Sequence, residues 1–210
     1  RTDGSRATAY TRAISTPWLA ATWQLDPATM LYASVGEGVE SEVAPGRSRY
    51  TNAGQPLPAL RSRQTELGVK NQTDRATWSA TVFDITRPLW GDAGSCDVAG
   101  SCTRQVDGEV RHRGLELAGG WQAGPWHLNG STTWLDAERR HAVINPDLNG
   151  KRPTNVPGWT LRAQVRYRLA AVPGLSVEGA LSHEGRRAVL PDESVMLPSW
   201  TRLDTALRYE

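Results

Sequence analysis

The sequence has little imbalance of charge, no long apolar run and few cysteines, and each shortage excludes a class of protein. Lys and Arg number 24 against 22 Asp and Glu, for a formal net charge of +2. This balance disfavours a dedicated nucleic-acid-binding protein. The longest stretch without a charged residue, Leu117 to Leu135, includes four glycines and a proline, which excludes a membrane-spanning helix there.

Phenylalanine is almost missing as well. The chain has one Phe against nine Trp and five Tyr. Trp and Tyr carry a polar group on an apolar ring, so they suit surfaces that are apolar on one side and wet on the other.

The two cysteines, Cys96 and Cys102, lie close together in a segment of Gly, Ser and Asp. Such a pair predicts a small loop disulfide, which requires an oxidising compartment. Two free thiols in a cytosolic loop are the alternative.

No arrangement of residues indicates an enzyme or a cofactor site. The four histidines lack metal-ligand spacing, and neither a Gly-x-Ser-x-Gly nor a complete nucleotide-binding motif occurs. Glu37, Glu40 and Glu42 could hold Ca²⁺ in a loop, although such groups are commonly only solvated. We therefore predict no catalytic residue, no metal site and no cofactor.

The clearest periodicity covers Trp159 to Leu169. Every odd position is apolar or aromatic, and every even position is Thr, Arg or Gln. This period of two residues predicts a strand with one apolar and one polar face. An α-helix would mix the aromatic residues with the arginines.

Weaker alternation extends the strand prediction over most of the chain. Nine strands are predicted, at residues 16–25, 28–38, 62–72, 75–88, 105–123, 125–138, 157–169, 175–187 and 198–209. Short turns and long joins alternate between them, the long ones covering residues 39–61, 89–104, 139–156 and 188–197. In an up-and-down antiparallel sheet, this alternation puts all short turns at one end and all long loops at the other.

Strand length separates a soluble protein from a membrane protein. The predicted strands exceed the five or six residues usual in soluble proteins and approach the 9 to 11 that cross a bilayer. Trp126 and Trp134 share one face, as do Trp159 and Tyr167. Their spacing corresponds to a rise of about 20 Å, close to the apolar band of an outer-membrane barrel.

These features together predict an all-β, antiparallel, up-and-down transmembrane β-barrel. A soluble β-sandwich or propeller would explain the alternation but not the strand length. Since single-chain bacterial barrels have an even number of strands, nine strands predict a part of a larger barrel.

Several segments, in order, resemble the later barrel strands of TonB-dependent outer-membrane siderophore receptors. They are residues 16–23 (TPWLAATW), 31–38 (LYASVGEG), 62–70 (SRQTELGVK), 81–88 (TVFDITRP), 113–117 (RGLEL), 155–159 (NVPGW) and 197–204 (LPSWTRLD).

The resemblance implies that residues 1–210 are part of a single barrel domain of 22 strands. The plug domain, the TonB-contacting peptide and the closing strands are expected outside this sequence. The protein would be a monomeric receptor in the outer membrane of a Gram-negative bacterium, in contact with lipid and lipopolysaccharide. It would import a ferric siderophore with energy delivered by TonB.

Three other functions stay open at this point: a passive porin, a receptor for cobalamin or an oligosaccharide, and a soluble carbohydrate-binding β-sandwich.

Ferric siderophores are anionic or rich in oxygen ligands, so their site needs Arg or Tyr donors and aromatic walls at the external mouth. Candidate ligand contacts in or next to the long loops are Tyr50, Arg87, Trp90, Arg104, Arg139 and Arg140. Such residues also serve solubility and contact with lipopolysaccharide phosphates. We expect Arg162, Arg166 and Arg168 to face the lumen and pair with carboxylates of the plug or of neighbouring strands.

Overall fold

The computed structural model describes residue 11 and residues 13–210, and their architecture is almost wholly β. Nine strands form one antiparallel sheet, in which each strand pairs with its neighbours along the chain. They are β1 (Trp18–Gln24), β2 (Thr29–Glu40), β3 (Leu60–Gln72), β4 (Ala76–Gly94), β5 (Cys102–Ala123), β6 (Trp126–Arg140), β7 (Trp159–Arg168), β8 (Leu175–Glu184) and β11 (Trp200–Tyr209). The predicted antiparallel sheet of nine strands is confirmed.

Two short elements complete the described part of the chain. Between β8 and β11, β9 (Arg187–Ala188) pairs with β10 (Met196–Leu197) as a separate two-stranded sheet. A 3-10 helix covers Pro146–Leu148. Within the described residues, no helix has both the length and the apolar character needed to cross a membrane.

The register of the sheet gathers apolar side chains on one face, which we call the apolar face. Towards the loop end, one cross-strand row of this face runs from β3 to β7 and ends in two tryptophans, and we call it the upper aromatic row. It consists of Leu67, Val82, Leu115, Trp134 and Trp159. At the other end Trp126 pairs with Tyr167, and their ring centroids lie 4.5 Å apart. Between these rows, no strand of the described sheet places a charged residue on this face. The aromatic spacing predicted from the sequence therefore corresponds to two cross-strand pairs of β6 and β7, Trp134 with Trp159 and Trp126 with Tyr167.

The opposite face is polar. It bears a groove of about 580 Å³ whose lining includes Lys70, Asn129, Ser131, Arg162 and Gln164. These side chains alternate with those of the apolar face, as expected for strands with one wet side.

The three arginines of β7 differ in their partners. Arg166 Nε lies 2.7 Å from Glu178 Oε1 on β8, which is the neighbouring-strand pairing expected from the sequence. Arg162 and Arg168 form no ion pair with any residue that the structure describes. Both side chains are exposed.

The strands end in two different ways. Residues 25–28, 73–75, 124–125 and 169–174 make short turns at one end, and residues 41–59, 141–158 and 185–199 make long connections at the other. Buried apolar residues collect at this loop end and include Ala44, Tyr50, Leu57, Cys102, Val110 and Ala137.

One predicted boundary is wrong. The join expected at residues 89–104 is mostly strand, because β4 continues to Gly94 and pairs there with Cys102. The segment was predicted as a loop because it is rich in residues typical of turns, among them Pro88, Gly91 and Gly94. The register instead shifts between Pro88 and Trp90, and Gly108 on β5 takes a φ of 74° beside the shift. A bulge of this kind accommodates a proline that cannot donate to the ladder.

The first and last strands of the sheet each have only one partner in the described structure, so the barrel is not closed here.

Candidate functional site

Strands β4 and β5 extend well beyond the upper aromatic row. Their ladder continues from Val82 and Leu115 to Gly94 and Cys102. At about 3.3 Å per residue and a barrel-like tilt, this ribbon projects roughly 30 Å past that row. It carries three of the six candidate ligand contacts, namely Arg87, Trp90 and Arg104.

The β2–β3 loop, residues 41–59, is fastened to this ribbon by Tyr50 and its neighbours. The Tyr50 hydroxyl donates to Asp92 Oδ2 at 2.8 Å, and the side chain is only 5% exposed. Thr51 N donates to the Cys102 carbonyl at 2.7 Å, and Asn52 Nδ2 donates to the Arg104 carbonyl at 2.8 Å. Tyr50 therefore anchors the loop, and its burial leaves little surface for a ligand.

Arg104 belongs to the same anchor. Its guanidinium donates to Glu42 Oε1 at 3.0 and 3.1 Å and to Asp92 Oδ1 at 3.2 Å. Burial acts to lower the pKa of Arg104, but the hydrogen bonds to Asp92 and Glu42 outweigh it and raise the pKa. The guanidinium is thus already neutralised by two carboxylates, one from the loop and one from the ribbon.

The ribbon tip is closed by a disulfide between Cys96 and Cys102, whose sulfurs are 2.07 Å apart. Asp92 and these two cysteines are the one set of three potential metal ligands that converges within the described residues. Because both sulfurs are bonded to each other, the set offers no thiolate to a metal.

The three glutamates considered for Ca²⁺ do not converge. Glu37 pairs with Arg61 and Arg63, while Glu40 pairs with Arg87 and Glu42 with Arg104. Each carboxylate is occupied by a different arginine partner, so the structure does not support a shared cation site.

Arg87 and Arg139 lie together on the polar face, above the membrane-length part of the sheet. Both flank Val110 in one cross-strand row. Arg87 is half exposed and donates from Nε and Nη2 to Glu40 at 2.7 and 3.0 Å. Arg87 is thereby neutralised, whereas Arg139 is not.

Arg139 is a half-buried cation that lacks an ion-pair partner in the described structure. Its Nε is buried and makes no hydrogen bond. Burial lowers the pKa of Arg139, and the charge of Asp107 opposes this only in part. Since arginine stays protonated in proteins, the side chain keeps unused donors and an uncompensated charge.

His112 stands beside it and was not singled out by the sequence. Because His112 pairs with Ala137 and Val110 with Arg139, the two side chains are diagonal neighbours on one face. Burial and the charge of Arg87 lower the pKa of His112, so its ring is neutral at pH 7. Its Nδ1 is buried without a partner. Val110, His112 and Gly114 are alternate residues of the strand, and this alternation could have assigned His112 to the same face from the sequence.

The remaining candidates lie elsewhere. Arg140 is on the other face of the sheet from Arg139, where its Nε donates to Glu138 at 2.8 Å. Trp90 is half-buried within β4 and pairs in register with Val106. The structure therefore brings Arg87 and Arg139 together with His112, and separates them from Arg140.

Comparison with known proteins gives a consistent result. Residues 1–210 match the family described as "TonB dependent receptor-like, beta-barrel". A curated protein, the ferrichrome receptor FcuA of Yersinia enterocolitica, is 30% identical over 177 residues, which are 84% of this chain and 23% of that protein.

Solved structures resemble it too. The ferric preacinetobactin receptor BauA of Acinetobacter baumannii has a TM-score of 0.77 and 25% identity, covering 92% of this chain and 29% of that one. The ferric yersiniabactin uptake receptor FyuA of Yersinia pestis has a TM-score of 0.72 and 20% identity, covering 91% and 29%. The chain thus spans less than a third of each of these proteins.

Proposed function

This chain belongs to the TonB-dependent receptor family as part of its β-barrel, and on that premise we propose that the whole protein is an outer-membrane receptor for ferric siderophores. Its transport step takes energy delivered through TonB. The related FcuA is named a ferrichrome receptor and BauA a ferric preacinetobactin receptor, which supports iron chelates as the ligand class. No catalytic step is assigned to it.

In this proposal the apolar face meets outer-membrane lipid, and the polar face lines the lumen. The uncharged band between the aromatic rows supports the first assignment. The polar groove and the unpaired Arg162 support the second, because lumen charges find partners on a plug. A plug domain and further strands of the same protein, which acts as a monomer, complete the barrel.

The observation that carries the ligand assignment is the unpaired Arg139. A half-buried guanidinium that lacks a carboxylate partner favours an anionic or oxygen-rich ligand, since charge-assisted hydrogen bonds are the strong ones. Neutral His112 offers a second polar contact next to it, and Arg87 adds positive charge on the same row. The other candidates stay part of the proposed ligand surface, but their structural surroundings support ligand contact less than those of Arg139. They are Trp90, Tyr50, Arg104 and Arg140.

Growth and uptake in iron-limited medium test this function. A strain lacking the full-length gene is supplied with single ferric siderophores, and uptake of radioactive iron is measured with and without the restored gene and with and without TonB. We expect one siderophore class to lose uptake in both deletions. Equal uptake of every ferric siderophore in all strains would contradict the proposal.

A further inference from the structure

Strand β5 carries a buried carboxylate close to the candidate ligand contacts. Asp107 lies at the bulge of this strand, and the residue is only 8% exposed. It forms no ion pair with any residue that the structure describes, and its hydrogen bonds are all to backbone N–H groups. Because a buried charge is costly without such partners, these hydrogen bonds are what keeps the carboxylate in place.

The hydrogen bonds hold the start of the β6–β7 connection, residues 141–158. Asp107 Oδ1 accepts from Val143 N at 2.7 Å and from Ile144 N at 2.9 Å. Gly91 on β4 makes room for this contact, because a Cβ there would meet Asp107 Cβ at 2.6 Å and Ile144 Cδ1 at 2.8 Å. The carboxylate is thus enclosed between β4 and the connection.

Asp107 lies on the same side of the sheet as the arginines of the candidate site. The bulge adds its extra residue to β5, so the alternation of β4 is unbroken and Gly91 faces the same side as Arg87. Arg87 and Arg139 flank Val110 in one row. Asp107 lies about two ladder positions, or roughly 7 Å, beyond that row.

The far end of the same connection holds the backbone of Arg139. Arg139 N donates to the Lys151 carbonyl at 2.9 Å, and its own carbonyl accepts from Gly150 N at 2.8 Å. Burial lowers the pKa of Arg139, and the charge of Asp107 opposes this shift. The two charges are therefore coupled, although no hydrogen bond joins them.

On this face the charges around Arg139 cancel when Asp107 is included. Arg87 is paired with Glu40, and His112 is neutral at pH 7. Arg139 and Asp107 remain, with opposite signs. A ligand with a large negative charge that binds Arg139 is repelled by Asp107, whereas a neutral ligand with oxygen acceptors is not.

From this arrangement we infer that Asp107 determines the charge preference of the proposed ligand site. Its carboxylate positions the β6–β7 connection through two backbone amides, and its charge disfavours strongly anionic ferric chelates relative to neutral ones. Asp107 is thus a positioning and specificity-determining residue, not a ligand contact. The inference rests on the proposed siderophore-binding function and concerns which chelates that site prefers.

The substitution Asp107→Asn separates the two roles. Asparagine keeps an oxygen that accepts from Val143 and Ile144, but it removes the charge. The full-length receptor, purified in detergent, is titrated with a neutral ferric trihydroxamate and with a strongly anionic ferric tris-catecholate. In this variant we expect the Kd of the tris-catecholate to fall at least about tenfold and that of the trihydroxamate to change less than about twofold.

Two further variants complete the test. Asp107→Ala loses the acceptor as well as the charge, so residues 141–158 should be cut faster in limited proteolysis and the neutral chelate should bind more weakly. The matched control is Asp136→Asn, the same change at an exposed position on the opposite face, which should leave both Kd values unchanged.

An unchanged ratio of the two Kd values in Asp107→Asn, or an equal change of that ratio in Asp136→Asn, would overturn the inference. A purely structural role of Asp107 would weaken both chelates together and leave the ratio as it is in the wild type. If the wild type binds either chelate, such a result contradicts the inference alone. Absence of binding of both chelates to every one of these proteins would contradict the proposed function as well.

Discussion

Replacing Arg139 by alanine is expected to weaken siderophore binding without unfolding the receptor. The guanidinium has no ion-pair partner among the described residues, so its loss leaves no described carboxylate unpaired. The backbone bonds of Arg139 to Lys151 and Gly150 do not depend on the side chain. A hydrogen bond to a charged group contributes about 1.5–3 kcal/mol, which corresponds to about a 10- to 150-fold rise in Kd.

The assay is a titration of purified full-length receptor with the ferric siderophore that supports growth, followed by tryptophan fluorescence or calorimetry. Arg139→Lys keeps the charge but loses the planar fork, so its Kd should fall between those of the wild type and the alanine variant. Arg113→Ala is the matched control, because that side chain lies on the opposite face and is not a candidate ligand contact. The reasoning is refuted if both alanine variants weaken binding equally, or if Arg139→Ala leaves the Kd unchanged.

Three further predictions concern the loop anchor, the disulfide and the lipid face. Arg104→Ala removes the shared partner of Glu42 and Asp92, so a protease should cut residues 41–59 faster in this variant during limited proteolysis. Arg47→Ala, at an exposed position of the same loop, should leave the rate of cleavage unchanged. Mass spectrometry after alkylation should find Cys96 and Cys102 modified only when reductant is added; modification without it would rule out the bridge. Ala163→Arg, midway between the aromatic rows, should lower the free energy of unfolding in lipid by about 2–4 kcal/mol. Gln164→Arg, on the polar face, should lower it far less. Equal losses in the two variants would contradict the assignment of faces.

The sheet could be predicted from the sequence because its signal is local. Alternation of apolar and polar residues specifies the face of each side chain, and it is unbroken in β7. The height of the apolar band could also be predicted, from the spacing of the aromatic residues Trp126, Trp134, Trp159 and Tyr167. The loop-end ribbon could not be predicted, because Pro88 and the nearby glycines resemble a turn until the pairing of β4 with β5 is known.

The candidate site was predicted only in part, for a related reason. Arg139 and Arg140 are adjacent and look equivalent in the sequence, yet the pleat places them on opposite faces. Arg104 and Tyr50 looked like free donors, but their partners Glu42 and Asp92 come from distant segments. Which arginine stays unpaired depends on these long-range contacts, and no local pattern encodes it.

The most direct test of the account compares two neighbouring positions on β7 in the membrane. Spin labels are attached at Val165→Cys and, separately, at Gln164→Cys of the full-length receptor in lipid vesicles, and their collision rates with oxygen and with a water-soluble nickel chelate are measured. Because oxygen concentrates in lipid and the chelate stays in water, the label at 165 should collide mainly with oxygen and the label at 164 mainly with the chelate. Equal accessibility of the two labels to the chelate would contradict the division into a lipid face and a lumen face.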